Sequence, residues 1–139
     1  MTIEPLTVQD QAALQQELAL GRRIFEFYLD QPADPTFDAI DRVLDLWFAD
    51  PRQSKPSGND IARGLGSLVG DHVCKLYKCR WVVVTDVHGC DLGVLDDATN
   101  WQMFPRHWVA KRLDPSNAGQ RVVSSIVQTL ETNGITGGG

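Results

Sequence analysis

Long apolar runs are missing from this chain: none approaches the roughly 18 residues that cross a bilayer as a helix, so no membrane partner is expected. The opening Met1-Thr2-Ile3-Glu4-Pro5-Leu6 has neither a basic start nor an apolar core, so it does not read as a secretory signal. Cysteine is sparse. Cys74, Cys79 and Cys90 are an odd number without framework spacing, the usage of a reducing compartment, which points to the cytoplasm. Surplus positive charge is absent as well: 13 Lys and Arg against 18 Asp and Glu leave a formal net charge of −5. Phosphate backbones are held by surplus cations, so nucleic acid is not an expected partner. Repeats and low-complexity segments are lacking. No strand pattern alternates with crossover helices, which removes the doubly wound nucleotide folds.

What remains is the composition of one globular domain. With 139 residues, 42% hydrophobic and 22% charged, the chain can bury roughly two-thirds of its extended-chain surface and needs no disulfide or metal to hold a core. Residues 1–6 read as an untethered leader and 133–139 as a loose tail. Thr7 and Asp10 make an acidic capping box for a helix over 8–29, whose apolar face carries Leu14, Leu18, Gly21, Phe25 and Tyr28, flanked by Leu20, Ile24 and Phe27. Gly21 in mid-helix implies a close crossing by another element. Asp34-Pro35 reads as the N-cap and first residue of a second helix over 35–49, with Phe37, Ile40, Leu44 and Trp47 inward. Asp50 to Gly58 reads as the least structured stretch. Asn59 is the expected cap of a third helix to about Lys78, with Ile61, Leu65, Leu68, Val69, Val73 and Leu76 inward.

Arg80-Trp81-Val82-Val83-Val84-Thr85 is β-branched and aromatic, the composition of a strand. Asp86-Val87-His88-Gly89 turns, Cys90 to Leu95 alternates as the return strand, and Asn100 to Phe104 can supply a third. Pro105 opens a short helix over 105–113, and a last helix covers about 118–132. The class is α+β: three N-terminal helices, a small antiparallel sheet (a hairpin or three-stranded meander) and two C-terminal helices.

Several clusters could carry chemistry. Gly64-Leu65-Gly66-Ser67-Leu68-Val69-Gly70 has the composition of a phosphate loop, but it lies inside a helical pattern rather than between strand and helix, so close packing is its expected role. His72, Cys74, Cys79, His88 and Cys90 lie near one another in sequence, but zinc usually takes two close-spaced pairs; His88 and Cys90 could ligate together, while Cys79 alone cannot complete the set. No metal and no cofactor is expected. Cys90 with His88 or His107 is the one pairing that could give an activated thiol. Asp34, Asp38, Asp41 and Asp45 recur at spacings of four, three and four, as a solvated helix face or a docking face for a basic partner. From Asp30 to Asp50, six carboxylates face the single cation Arg42, a local charge of −5 that equals that of the whole chain. Trp101, Phe104, Arg106 and His107 form a candidate aromatic binding groove, while Trp81 and Trp108 are expected to pack sheet against helix.

From Gly66 onward a wider pattern emerges. Gly66-x-x-x-Gly70-Asp71, Arg80-Trp81-Val82, Asp86-x-x-Gly89, Phe104-Pro105 and Lys111-Arg112-Leu113 follow one another over about residues 60–113. In this the chain resembles the bacterial domain-of-unknown-function family 3806. The resemblance implies a small bacterial α+β domain with helix, hairpin and Pro-started helix in that order, and no assigned activity. With no assembled acid–base or nucleophile set, the expected role is a non-catalytic protein-binding domain, or more narrowly an acidic immunity- or inhibitor-type protein covering a basic toxin or enzyme. The competing expectation is a small hydrolase or thiol enzyme built on Cys90, His88 and His107.

Overall fold

The apolar periodicities become three long helices in the computed structural model, which describes residues 1–30, 34–116 and 123–135. They are α1 (Val8–Tyr28), α2 (Phe37–Ala49) and α3 (Gly58–Leu76). Thr7 and Asp10 close the capping box: the Asp10 amide donates to Thr7 Oγ1 at 3.1 Å and the Thr7 amide donates to Asp10 Oδ2 at 2.9 Å. The other two caps sit two residues from their expected places. Thr36, not Asp34, accepts from the Ala39 amide, and Ser57, not Asn59, accepts from the Asp60 amide. Each hydroxyl stands three residues before the amide it caps, the same relation as Thr7 to Asp10.

α1 crosses α3 at glycines. A Cβ on Gly21 would overlap the Gly64 carbonyl, so the mid-helix glycine allows backbone to approach backbone. Phe27, expected on the inner flank, is instead 51% exposed, with the Arg52 guanidinium over its ring at 4.6 Å. The last turn of α1 is oriented by its neighbour Tyr28, whose hydroxyl donates to Asp50 Oδ2 at 2.8 Å. That contact also orders the stretch expected to be least structured. Arg52 donates from Nε and Nη2 to the same Asp50 carboxylate, and Trp47 Nε1 donates to the Pro56 carbonyl at 2.7 Å. The Arg52 hydrogen bonds hold the Asp50 carboxyl well below the usual carboxylate range.

Among the described residues the sheet has four antiparallel strands in sequence order, β1 (Thr2–Glu4), β2 (Cys79–Asp86), β3 (Gly89–Asp96) and β4 (Gln102–Met103). β1 corrects the reading of residues 1–6 as an untethered leader: Ile3 pairs with Val84, and the three residues form an edge strand. Three residues carry no periodicity of their own, and only the presence of β2 beside them makes a strand. β2 and β3 pair from Cys79↔Asp96 to Asp86↔Gly89, which places the turn at Val87-His88. β4 pairs only with Val94 and Leu95. Continued in this register, the ladder would match Gly93 to Phe104 and then Leu92 to Pro105, and proline has no N–H to donate to it.

Pro105 begins α4 (Pro105–Leu113), as expected. Further on, a 3₁₀ turn over Val123–Ser125 leads into α5 (Ile126–Thr132). The expected start of this helix near 118, and Val122 on its apolar face, lie outside the described residues. The tail is tied down further than expected. Gly134, at φ +76, donates its amide to the Glu131 carbonyl, and Ile135 donates to Leu130 and is buried. This is a Schellman motif closed by an apolar residue; Gly137, Gly138 and Gly139 lie outside the described residues. The core is built from Leu18, Phe25, Ile40, Leu44, Leu65, Val69, Val94, Val109 and Ile126, so helices and sheet share one interior. Val82, Val84 and Leu95 form a smaller cluster covered by Phe104. None of the described helices is long and apolar enough to cross a membrane.

Candidate functional site

Successive residues of a strand point to opposite faces, so the β2–β3 register sorts the hairpin's side chains. Asp91 stands opposite Val84 on one face, and Cys90 stands opposite Thr85 on the other. α4 then brings Arg106 and His107 to the β3 edge. It can do so because Gly66 leaves room: a Cβ there would lie 2.8 Å from Arg106 Cα. Pro105 and Trp81 fill the space over Gly70 in the same way. The glycine-rich run of α3 is thus a packing surface for α1, α4 and Trp81, as its position inside a helix implied.

A chain of charged groups runs from this joint. Arg106 Nη2 lies 2.7 Å from Glu17 Oε1, and Glu17 is buried on α1. The Ser67 hydroxyl lies 3.1 Å from the other Glu17 oxygen, and Arg63 Nε approaches at 3.7 Å. A buried carboxylate needs such partners, since an unpaired buried charge is costly. On its outer side Arg106 reaches Asp91 Oδ1 at 3.9 Å, and His107 Nε2 stands 2.9 Å from Asp91 Oδ2. The Leu92 amide donates to Asp91 Oδ1 at 2.8 Å, so both oxygens of Asp91 are engaged.

Beside this chain lies an open concavity of about 510 Å³, bounded by Val84, Asp86, His88, Gly89, Cys90, Asp91, Phe104 and His107. The Phe104 and His107 rings lie 5.7 Å apart and 32° from parallel, forming one wall. Asp86 Oδ1 accepts the His88 amide at 2.7 Å. A second hollow of about 180 Å³, lined by Ala13, Val83, Cys90, Leu92 and Arg106 among others, lies between the hairpin and α1.

The expected site residues divide accordingly. Of the aromatic groove, Phe104 and His107 line the concavity. Arg106 turns to Glu17, and Trp101 packs against the main core, its carbonyl accepting the Asp96 amide. Of the acidic face, Asp38 and Asp45 are exposed on α2, and Asp34 is exposed ahead of it. Asp41 is engaged with the chain itself: its carboxylate accepts the backbone amides of Val123 and Ser124. The four aspartates therefore do not act as one surface. Trp81 packs against α3 as expected, and Trp108 lies under the Arg112 guanidinium at 4.1 Å.

Cys90, His88 and His107 all border the concavity. Strand alternation nevertheless directs the Cys90 side chain away from the face that carries Asp91 and its partner His107. Burial pushes the Cys74 thiol up to about 12 and the Cys79 thiol up to about 11. His72 packs edge-on against Phe37, and burial lowers its pKa. Among the described residues no three His, Cys, Asp or Glu side chains are grouped as a metal would need. Glu17 and Asp91, the two carboxylates that organise the site, belong to none of the sequence clusters. Glu17 did carry a signal: it falls between Leu14 and Leu18 on the buried face of α1, where a carboxylate must have a partner.

No family model matches the chain, and no curated protein or solved structure matches it either.

Proposed function

We propose that this chain is a non-catalytic, cytoplasmic protein-binding domain that docks a basic partner at the hairpin concavity. Membership of family 3806 belongs to the same proposal and adds no activity to it. The observation that carries the reading is the state of the polar groups around the concavity. Both oxygens of Asp91 are engaged, Arg106 is held by Glu17, and the Cys90 side chain points to the other face of the sheet. The groups are arranged to hold a shape rather than to pass a proton to or from a nucleophile. An open hollow with an aromatic wall and a carboxylate margin is the form of an interface anchor site.

The narrower reading, an acidic inhibitor covering a basic protein, is favoured by exposed Asp38 and Asp45 and by the −5 charge of the chain. One experiment addresses both. Affinity capture from the source organism is compared for the native chain, for Asp86→Asn with His107→Ala, and for Asp38→Lys with Asp45→Lys. The expected outcome is a basic protein retained by the native chain and lost by the concavity variant. Loss with the α2 variant as well supports the inhibitor reading. Equal recovery of every protein from native chain and concavity variant overturns the concavity as docking surface.

A further inference from the structure

The concavity has the chemistry of a pocket for one particular side chain. Its base is apolar at Val84, which is buried. Phe104 lies against the sheet at Gly93, where a Cβ would come 3.5 Å from its ring, and His107 extends the aromatic wall. Asp86 stands at the hairpin end of the hollow. Its Oδ1 is taken by the His88 amide, while Oδ2 has no hydrogen-bond partner among the described residues. Among its described lining residues the hollow has two carboxylates, Asp86 and Asp91, and neither Lys nor Arg; Arg106, beside it, is held by Glu17 at 2.7 Å, and Arg63 also approaches Glu17. The surplus of the wall is negative, and Asp86 Oδ2 is a carboxylate oxygen on it that is free among the described residues.

An apolar base, a planar aromatic wall and a free carboxylate suit a side chain with an alkyl stem and a planar cationic head. A guanidinium can lie along the Phe104 ring and donate to Asp86 at once, which the compact ammonium of lysine does less well. We propose that the concavity is a binding pocket for an arginine side chain presented by the partner protein. The proposal rests on the protein-binding reading above and specifies what is recognised there. A cavity of about 510 Å³ is larger than one side chain, so the flanking backbone of the partner enters with it.

The test uses the full chain and small probes. N-acetyl-argininamide is titrated against the ¹⁵N-labelled protein, with N-acetyl-citrullinamide, the neutral analogue of nearly equal shape, as control. The expected result is saturable shifts confined to the amides of residues 84–91, 104, 106 and 107 with the arginine probe, and at least a several-fold weaker response to the citrulline probe. Asp86→Asn keeps the acceptor for the His88 amide, so the turn is preserved while the charge is lost; the arginine response should then fall to that of citrulline. Equal shifts from both probes, or an undiminished response in Asp86→Asn, overturns the pocket. So does a stronger response to N-acetyl-lysinamide. If no probe binds while partner capture still depends on Asp86 and His107, the arginine pocket falls and the protein-binding reading stands.

Discussion

α3 meets its two neighbours in different ways. Toward α1 it presents Gly64 to Gly21, and the two backbones touch with Ile24 and Leu68 closing the sides. Toward α4 it presents Gly66 to Arg106, but there the joint continues into charged groups: Glu17, Ser67, Arg63, Asp91 and His107. The first contact is backbone against backbone with apolar flanks, and about one turn earlier α1 contributes Glu17 to the second. The second is held by directional pairs, which fix distances without filling space, and the concavity opens beside it. The same helix thus supplies a rigid seam on one side and a scaffold for a site on the other.

The largest effect should come from closing the gap in the seam. Gly21→Ala gains helix propensity of roughly 1 kcal/mol, yet its methyl would overlap the Gly64 carbonyl. A net loss of about 3 kcal/mol is expected in urea unfolding; an unchanged midpoint would show that the two helices are not in backbone contact. In the polar joint, Glu17→Ala removes a buried carboxylate from an arginine that is itself 31% exposed. Water can reach Arg106, so the cost is about 2 kcal/mol rather than the 3–5 of a fully buried pair. The Arg106→Ala change should cost as much or more, because it leaves the buried Glu17 with the Ser67 hydroxyl and the more distant Arg63, and a smaller loss would break the comparison.

Asp41→Asn comes next. It weakens two hydrogen bonds from the Val123 and Ser124 amides and should cost about 1 kcal/mol, with faster hydrogen exchange at those amides. Asp38→Asn and Asp45→Asn should change stability by less than about 0.5 kcal/mol, which separates the anchored aspartate from the exposed ones. Smallest, as long as the pH stays close to 9, is the effect of the thiols. Cys74 and Cys79 titrate near 12 and 11 in the folded chain, above the ordinary value of 9.0. The unfolded chain therefore loses those protons first as pH rises, and stability should decline above about pH 9 rather than below it. Cys74→Ala with Cys79→Ala should flatten that decline. In the native protein, Cys90, the exposed thiol, should be the first of the three to react with a disulfide reagent.

Much of this architecture is legible in residue order. Leu14, Leu18 and Phe25 mark α1, Val82 and Val84 mark β2, and Pro105 marks the start of α4, because each signal lies within one element. The Asn133-Gly134-Ile135 ending also follows a local rule, a glycine cap closed by an apolar residue, which the composition of a loose tail conceals. The site was less so. Asp41 shares the spacing of Asp38 and Asp45, yet it alone meets the amide of Ser124, 83 residues further along. Glu17 meets Ser67 across 50 residues, and β1 exists only as the neighbour of β2.

The sequence by itself determined the α+β class, the helix faces and the concentration of acid around α2. Periodicity and composition decide those, and both act over a few residues. Only the tertiary structure decided which carboxylates are anchored and which are free. It also decided that Phe104 and His107 share a hollow, while Trp101 and Arg106 serve the packing around it. Those outcomes depend on where distant elements meet, and a side chain's partner is set by that meeting rather than by its own neighbours in the chain.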